Sequence, residues 1–416
     1  MATLNTRVQH LTHCRACDGS RLEEVLCLPA MPLTDDFVPP ERLGQEFRED
    51  IKVFVCCDCW TTQTLHDVNM GDYYEDYQYS VGASPTAARF MTRLAANVTE
   101  KYFARRSGTR VLEVGSGDGA QLLAFQQQGC RALGYEPSSW LTRTAEAKGV
   151  PTVQGLFDAG ARRHLPEEFK QADAIVLSYT LDHLPQPGAF LRTARSILDP
   201  DAGILVVEVH DLAKIFARQE FSLFEHEHTV YLTEQTAQAL AAREEFVIVD
   251  FNPVAEADRR ANSLLFIATP VGSRFAREPA QVSASAEFSD LSFYRSQWEK
   301  IRRGIANLDA FVDRLTAAGR TVAGYGAGGR GVLTLAAMQS APRVRYLADR
   351  KPKRPGLVTP KSGVPLVGLD KLRESPVDDI LVFSFGYMKE IQAELASMGY
   401  RPEQFHSLVD VLAGDY

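Results

Sequence analysis

The stretch Val111-Leu112-Glu113-Val114-Gly115-Ser116-Gly117-Asp118-Gly119 limits what this chain can fold into more than any other. It reads as a buried strand, a glycine turn and a helix that starts near Ala120 and carries Leu122, Leu123 and Phe125. Glycines at such a turn allow positive φ and close approach of backbone to a ligand. Glu113 and Asp118 make a phosphate a poor guest and suit a cationic, hydroxyl-rich ligand. A second strand, Arg131–Glu136, then ends in a carboxylate, as gripping a ribose diol requires.

From Arg110 the pattern alternates strand and helix. Candidate strands are Arg110–Gly115, Arg131–Glu136, Pro151–Gln154, Ala174–Tyr179, Gly203–Val209, Phe246–Phe251 and Leu264–Thr269. A helix from about Ser84 to Arg105 leads in. The expected result is a seven-stranded, mostly parallel sheet with helices on both faces, whose ligands sit at the carboxyl ends of the strands. Those ends carry Glu113, Gly115, Glu136, Tyr179 to His183, and Glu208 to Asp211. The glycine turn and the strand-end carboxylate together resemble the S-adenosylmethionine (SAM) site of class I methyltransferases. That resemblance assigns Glu113, Gly115, Ser116, Gly117, Asp118, Glu136, Phe157 and Ser178 to cofactor binding. Phe157 is either a wall for the adenine or plain core.

A length of 416 residues calls for two or three domains. The net charge of −8 argues against a nucleic-acid partner. No apolar run reaches the roughly 18 residues of a membrane span. Met1 to His10 lacks an apolar signal region. The expectation is therefore a cytoplasmic enzyme for a small molecule, a monomer or weak dimer, with no nucleic-acid or membrane partner.

Cys14-Arg-Ala-Cys17 and Cys56-Cys57-Asp-Cys59 form two C-x2-C knuckles separated by 38 residues. Such knuckles can place four thiolates around Zn²⁺. Spacing favours Cys14, Cys17, Cys56 and Cys59 as ligands, and four thiolates leave no open position for chemistry. The zinc is read as structural.

Tyr73-Tyr-Glu-Asp-Tyr77-Gln-Tyr79 is either a packed linker or a loop over the active site, where phenols hydrogen-bond a polar ligand. His183 follows the fourth strand. The densest cluster is Glu225-His226-Glu227-His228, after the fifth strand. On an extended segment, alternation would point His226 and His228 to one side, as a metal site needs. Another reading is a solvated polar turn; the preferred one is acid–base catalysis, with a carboxylate fixing the tautomer of a histidine base.

Beyond a polar linker at 270–290, an amphipathic helix runs from Asp290 to Gly319, with Trp298, Ile301, Ile305, Leu308, Val312 and Leu315 as its stripe. A second nucleotide-fold-like unit follows. It opens at Val322-Ala-Gly-Tyr-Gly-Ala-Gly-Gly-Arg-Gly331 and continues through Tyr346–Asp349, Val364–Val367 and Ile380–Ser384. A glycine turn before a helix presents backbone N–H groups to anions, and Arg330 adds a charge suited to phosphate. Lys351 belongs to a basic run that either is solvated or touches a diphosphate.

Taken together, these landmarks resemble the three-domain, zinc-containing, SAM-dependent C-methyltransferases that act on nucleotide-linked keto-deoxysugars. The matching features are the two knuckles, Met31-Pro-Leu33, Tyr77 to Ser80, Glu113 to Gly119, His183, His226-Glu227-His228 and Gly324-Tyr-Gly-Ala327. The resemblance implies an α/β protein with an N-terminal zinc-binding domain (1–80), a central class I methyltransferase Rossmann-like domain (81–270) and a C-terminal Rossmann-like α/β domain (271–416) that holds the substrate. It implies carbon methylation next to a ketone through an enolate, in natural-product sugar biosynthesis, with no redox cofactor or catalytic metal. It makes His228 the base and Glu227 its orienting carboxylate, with His226, His183 and Tyr79 completing the catalytic group. Tyr77, Glu225, Tyr325, Arg330 and Lys351 are the expected acceptor contacts. Three features depart from the family pattern. Glu225 stands where a tyrosine is usual, Phe221 to Phe224 before it differ from the usual residues, and Arg330 stands where a lysine is expected. These departures bear on the acceptor, and a non-sugar carbonyl acceptor or O- or N-methylation stays open. A nicotinamide-dependent oxidoreductase using the C-terminal glycine turn is a weaker rival.

Overall fold

The structure is a computed structural model that describes residues 8–68, 85–282, 285–350 and 356–416. Tyr77, Tyr79 and Lys351 lie outside the described residues. The chain forms two compact units. One comprises 1–23, 55–212 and 227–285; the other comprises 24–54, 213–226 and 286–416.

The first unit is built on a seven-stranded sheet. Its strands are β1 (Arg110–Val114), β2 (Arg131–Glu136), β3 (Thr152–Gln154), β4 (Ala174–Ser178), β5 (Ile204–His210), β6 (Phe246–Phe251) and β7 (Ser263–Pro270). Their order is β6-β7-β5-β4-β1-β2-β3. β3, β2, β1, β4 and β5 pair in parallel, whereas β7 runs antiparallel to both β5 and β6. Each central strand is apolar on both faces, as a sheet covered on both sides requires. Leu112, Leu133, Ile175 and Leu205 face one core. Their neighbours Val111, Ala132, Ala174 and Ile204 face the other, where helix α1 (Pro85–Phe103) lays Phe90, Leu94 and Val98. Burying each of these three side chains contributes about 1.5–3 kcal/mol. Helix α2 (Ala120–Gln127) follows the glycine turn.

The second unit has a five-stranded sheet: β8 (Val322–Tyr325), β9 (Val344–Asp349), β10 (Leu366–Gly368), β11 (Asp379–Val382) and β12 (Phe405–Ser407). The order is β10-β9-β8-β11-β12, all parallel. β12 is a short Phe-His-Ser strand with no apolar run to announce it. Helix α3 (Leu291–Ala317) is capped by Asp290, whose carboxylate accepts from the Ser292 N–H. Its buried face is Tyr294, Gln297, Ile301, Gly304, Leu308, Phe311 and Val312. The stripe is thus rotated from the expected one, and Trp298, Ile305 and Leu315 flank it half-buried. Gly304 packs closely on the buried face. A Cβ there would fall 2.7 Å from the Gln219 side-chain oxygen and 3.1 Å from Leu412. Helix α4 (Gly329–Ala337) follows β8.

Candidate methyl-donor site, zinc centre and histidine cluster

The glycine turn after β1 has positive φ at Gly115 (68°), Gly117 (53°) and Gly119 (77°). Side chains would not fit at two of these positions. A Cβ on Gly115 would meet the Thr180 hydroxyl at 2.5 Å, and one on Gly119 would meet Ala145 and Val150 at 3.1 Å. At Gly117 nothing lies within 4 Å, so the turn is open there. The Gly117 N–H donates to one Glu136 oxygen (2.8 Å) and the Ser138 N–H to the other (2.9 Å). The β2 carboxylate is thereby fixed beside the turn. Asp118 accepts from Lys148 Nζ at 2.6 Å and from the Ala120 N–H, so it braces the turn on α2.

Electrostatics prepare this pocket for a cation. Glu113 is buried at the end of β1. Burial pushes its carboxyl well up; Arg260 opposes that shift, and Glu136, Asp118 and Glu208 add to it. Burial likewise raises Glu136. Arg260 is ion-paired to the buried Glu208 of β5 and stacks 4.7 Å from the Tyr179 ring centroid. One guanidinium thus serves several carboxylates, and a cationic ligand would complete the balance. Glu113 Oε2, Ser116 Oγ and Ser178 Oγ are buried and have no hydrogen-bond partner among the described residues. Buried polar groups normally have partners. Carboxylates, hydroxyls and an open glycine turn fit the sulfonium, ammonium and ribose groups of SAM. Phe157 is partly buried in the core, edge-on to Tyr135 at 5.2 Å and tilted against Phe190 at 5.4 Å.

Both knuckles turn in the same way. Asp18 N–H donates to the Cys14 carbonyl and Trp60 N–H to the Cys56 carbonyl, and Asp18 and Trp60 have φ of 62° and 61°. Cys14 Sγ lies 3.6 Å from Cys59 Sγ, and Cys17 Sγ lies 3.5 Å from Cys56 Sγ. A tetrahedron of thiolates around Zn²⁺ has edges of about 3.8 Å, from Zn–S bonds of about 2.3 Å. The amide of Gln63 and the N–H of Ala16 donate to Cys14 Sγ, support that thiolates around a metal need. Cys57 stands outside the four-sulfur group.

Beyond β4 the chain turns sharply through Tyr179, whose φ is 51°, into a short helical turn, Leu181–His183. His183 Nδ1 lies 3.8 Å from Glu227 Oε2. The His183 ring sits edge-on to that of His228, with centroids 4.8 Å apart. On its other side, the His228 ring is 4.7 Å from that of His210, the last residue of β5. His210 Nδ1 is 2.7 Å from Asp182 Oδ2. Three imidazoles and two carboxylates therefore adjoin the strand ends that carry Ser178 and Glu208.

In the second unit, His226 Nε2 bonds the Met31 carbonyl at 2.9 Å and packs edge-on against Phe47. His226 and Glu227 form a turn, so the segment lacks the strand alternation that a metal site at His226 and His228 would need. At the C-terminal glycine turn, a Cβ on Gly329 would fall 2.5 Å from a Glu225 carboxylate oxygen. Arg330 Nε is 3.1 Å from Glu220 Oε2, and its guanidinium covers the Phe385 ring at 5.3 Å. The Tyr325 phenol bonds Glu394, which also accepts from Arg350 at 3.0 Å. Asp349 accepts from the Ala327 N–H at 2.8 Å.

Three family profiles cover most of the chain: a zinc binding domain over residues 14–74, a methyltransferase domain over 87–250 and a C-methyltransferase C-terminal domain over 274–408. The C-methyltransferase NovU of Streptomyces niveus is 26% identical over 391 residues, 92% of each chain. An uncharacterized methyltransferase of Bacillus pumilus is 32% identical over 114 residues, 27% of this chain and 52% of that one. The chain belongs to the zinc-containing, SAM-dependent C-methyltransferases. Among solved structures, the SAM-bound magnesium protoporphyrin IX methyltransferase of Synechocystis PCC 6803 is 14% identical, covers 47% of this chain and 87% of that one, and has a TM-score of 0.34, too slight a likeness to bear on function.

The structure of this C-methyltransferase brings together the predicted Glu113, Gly115, Ser116, Gly117, Asp118, Glu136 and Ser178 around one turn. It also brings together His183, Glu227 and His228. Tyr325 and Arg330 engage Glu394 and Glu220 of their own unit. Sequence reading placed Asp182 and His210 at the ligand-bearing strand ends without giving them a role, and it missed Arg260 and Glu220. His210 and Glu208 alternate onto one face of β5, a signal available from strand periodicity. Arg260 lies in a loop, and no local pattern pairs it with Glu208.

Proposed function

We propose that this enzyme methylates a carbon next to the ketone of a deoxysugar carried on a nucleoside diphosphate of the thymidine type, in natural-product biosynthesis. The observation that carries the reading is the group His183, Glu227 and His228 beside the SAM strands. A ketone acidifies the neighbouring C–H. His228 takes that proton, Glu227 orients the imidazole group, and His183 with Tyr79 positions the keto sugar. SAM supplies an electrophilic methyl group. Glu113, Glu136 and the turn from Gly115 to Asp118 hold it, with Ser178 and Phe157 beside it. A positioned base contributes on the order of 10²–10⁴ to such a rate. The four cysteines hold the N-terminal fold, and their zinc takes no part in the chemistry.

The proposed organisation is a zinc domain over 1–80, a SAM domain over 81–270 and an acceptor-holding domain over 271–416. Tyr77, Glu225, Tyr325, Arg330 and Lys351 are its proposed acceptor contacts. We also propose a cytoplasmic monomer or weak dimer. A second reading, a carbonyl acceptor without a phosphate at the C-terminal turn, is favoured by Glu225, which places an anion at Gly329.

The test is turnover with SAM and a panel of thymidine-diphosphate 4-keto-6-deoxy sugars, read by mass gain and by the position of the new methyl group. A methyl on carbon supports the reading. A methyl on oxygen or nitrogen, or turnover only with non-sugar ketones, sinks the sugar assignment.

A further inference from the structure

Removing a proton next to a ketone is half of an enolisation. The other half is a hydrogen-bond donor for the oxygen that becomes negative. One imidazole cannot do both in the same step, because the base must be unprotonated where the donor must carry its proton.

His210 fills that second position. Its Nδ1 is fixed on Asp182 Oδ2 at 2.7 Å, and its backbone N–H points to the same oxygen at 3.4 Å. Asp182 is buried, and its other oxygen has no partner among the described residues. Burial alone would raise the Asp182 carboxyl, but the hydrogen bond from His210 and the charges of His210, His183 and His228 hold it well below the usual carboxylate range. A buried anion of this kind demands a cation or strong donor against it. The His210 ring also touches Tyr179 at 4.5 Å, and Tyr179 lies under the Arg260 that serves Glu208. The dyad therefore borders the methyl-donor pocket on one side and His228 on the other.

Spacing suits the task. One nitrogen from each of His210 and His228 and a carboxylate oxygen of Asp182 lie within 4.8 Å of one another. In a ketone the α-carbon and the oxygen are about 2.4 Å apart, from bonds of about 1.5 and 1.2 Å. The His210 and His228 rings, with centroids 4.7 Å apart, are close enough to serve the two ends of such a unit.

We propose that His210 is a further catalytic residue: as an imidazolium it donates Nδ1–H to the Asp182 carboxylate and Nε2–H to the ketone oxygen, while His228 removes the adjacent proton. The step balances. The C–H pair becomes the enolate double bond, and the proton stays on His228. The enolate carbon then takes the methyl from the sulfonium, the S–C pair leaves on sulfur, and the carbonyl re-forms. His210 keeps both protons throughout. Asp182 is a positioning residue. This inference rests on the carbon-methylation reading above.

The experiment uses full-length protein, a thymidine-diphosphate 4-keto-6-deoxy sugar in D₂O, and S-adenosylhomocysteine in place of SAM. Deuterium entry next to the ketone reports enolisation alone, and a parallel assay with SAM gives kcat and KM. His210→Asn is expected to slow both exchange and kcat on the order of 10²-fold, with KM for SAM within about twofold. Asp182→Asn should slow both similarly and move the pH profile of kcat. The double variant should be no worse than either single one. Wild-type exchange and kcat in His210→Asn overturn the proposal. If the wild type neither exchanges nor methylates this sugar, the sugar assignment fails. The dyad is then judged by ¹⁵N-histidine NMR without an acceptor. A His228 titration displaced by His210→Asn supports it, and an undisplaced one overturns it.

Discussion

The carboxylate of Glu225 stands at the first turn of α4, so close to Gly329 that a Cβ there would lie 2.5 Å from its oxygen. The N-terminus of a helix after a glycine turn is where such folds receive phosphate. This enzyme puts its own anion there, and the neighbouring Arg330 faces Glu220. A diphosphate approaching this turn meets a negative charge. Glu225→Gln keeps shape and removes that charge. Binding of thymidine diphosphate should tighten about tenfold, or about 1.4 kcal/mol, by calorimetry at low salt. Unchanged binding would place the diphosphate elsewhere and remove Glu225 from acceptor selection.

Glu113 gives SAM binding a pH dependence. Its carboxyl is raised by burial, so the folded protein binds this proton more tightly than the unfolded chain. The matching stability is present at low pH and is lost as pH rises through the folded value. A sulfonium nearby favours the ionised form, so SAM binding expels the proton and affinity rises with pH over that window. Glu113→Gln should flatten the dependence and weaken SAM binding at high pH. Titrations across pH with wild type and variant check this; equal slopes would mean that another group releases the proton.

Much of this was legible in the sequence because it is local. The glycine turn, the alternating strands and the CxxC knuckles declare themselves within ten residues or so, and each is imposed by backbone geometry. Non-local features were hidden. His210 and Asp182 meet because β4 and β5 are neighbours and both end at the same sheet edge. Arg260 reaches Glu208 from a loop that is 52 residues further along the chain. The buried face of α3 includes Gln297 and Gly304, which are not hydrophobic, so the apolar spacing alone did not reveal it. The alternation that a metal site at His226 and His228 would need presupposes an extended segment, and a turn stands there instead.

The zinc centre is predicted to hold the fold and leave the chemistry alone. Cys17→Ser or Cys56→Ser removes one of four thiolates. The protein should lose its zinc, measured by metal analysis after desalting, and its melting temperature should fall sharply, since structural zinc contributes on the order of 10 kcal/mol in small domains. Cys57→Ser should retain one zinc per chain and melt within a degree or two of wild type. Zinc loss in Cys57→Ser would redraw the ligand set.

The two histidines of the His-Glu-His segment should separate cleanly. Burial pulls the His226 imidazole down to about 4, against the bond to the Met31 carbonyl, which favours the charged form. A folded value below the unfolded one means stability that is present above pH about 6.5 and lost as pH falls toward 4. His226→Asn should therefore lower stability at pH 7.5 and flatten its loss between pH 6.5 and 4, while SAM affinity changes little. His228→Asn should do the reverse. It should melt and bind SAM as the wild type does and lose at least about 10²-fold in methyl transfer, the scale of a general base. Urea unfolding at several pH values and initial rates with SAM distinguish them. Full turnover in His228→Asn would move the base to another imidazole of the cluster, and pH-independent stability in the wild type would show that His226 titrates normally.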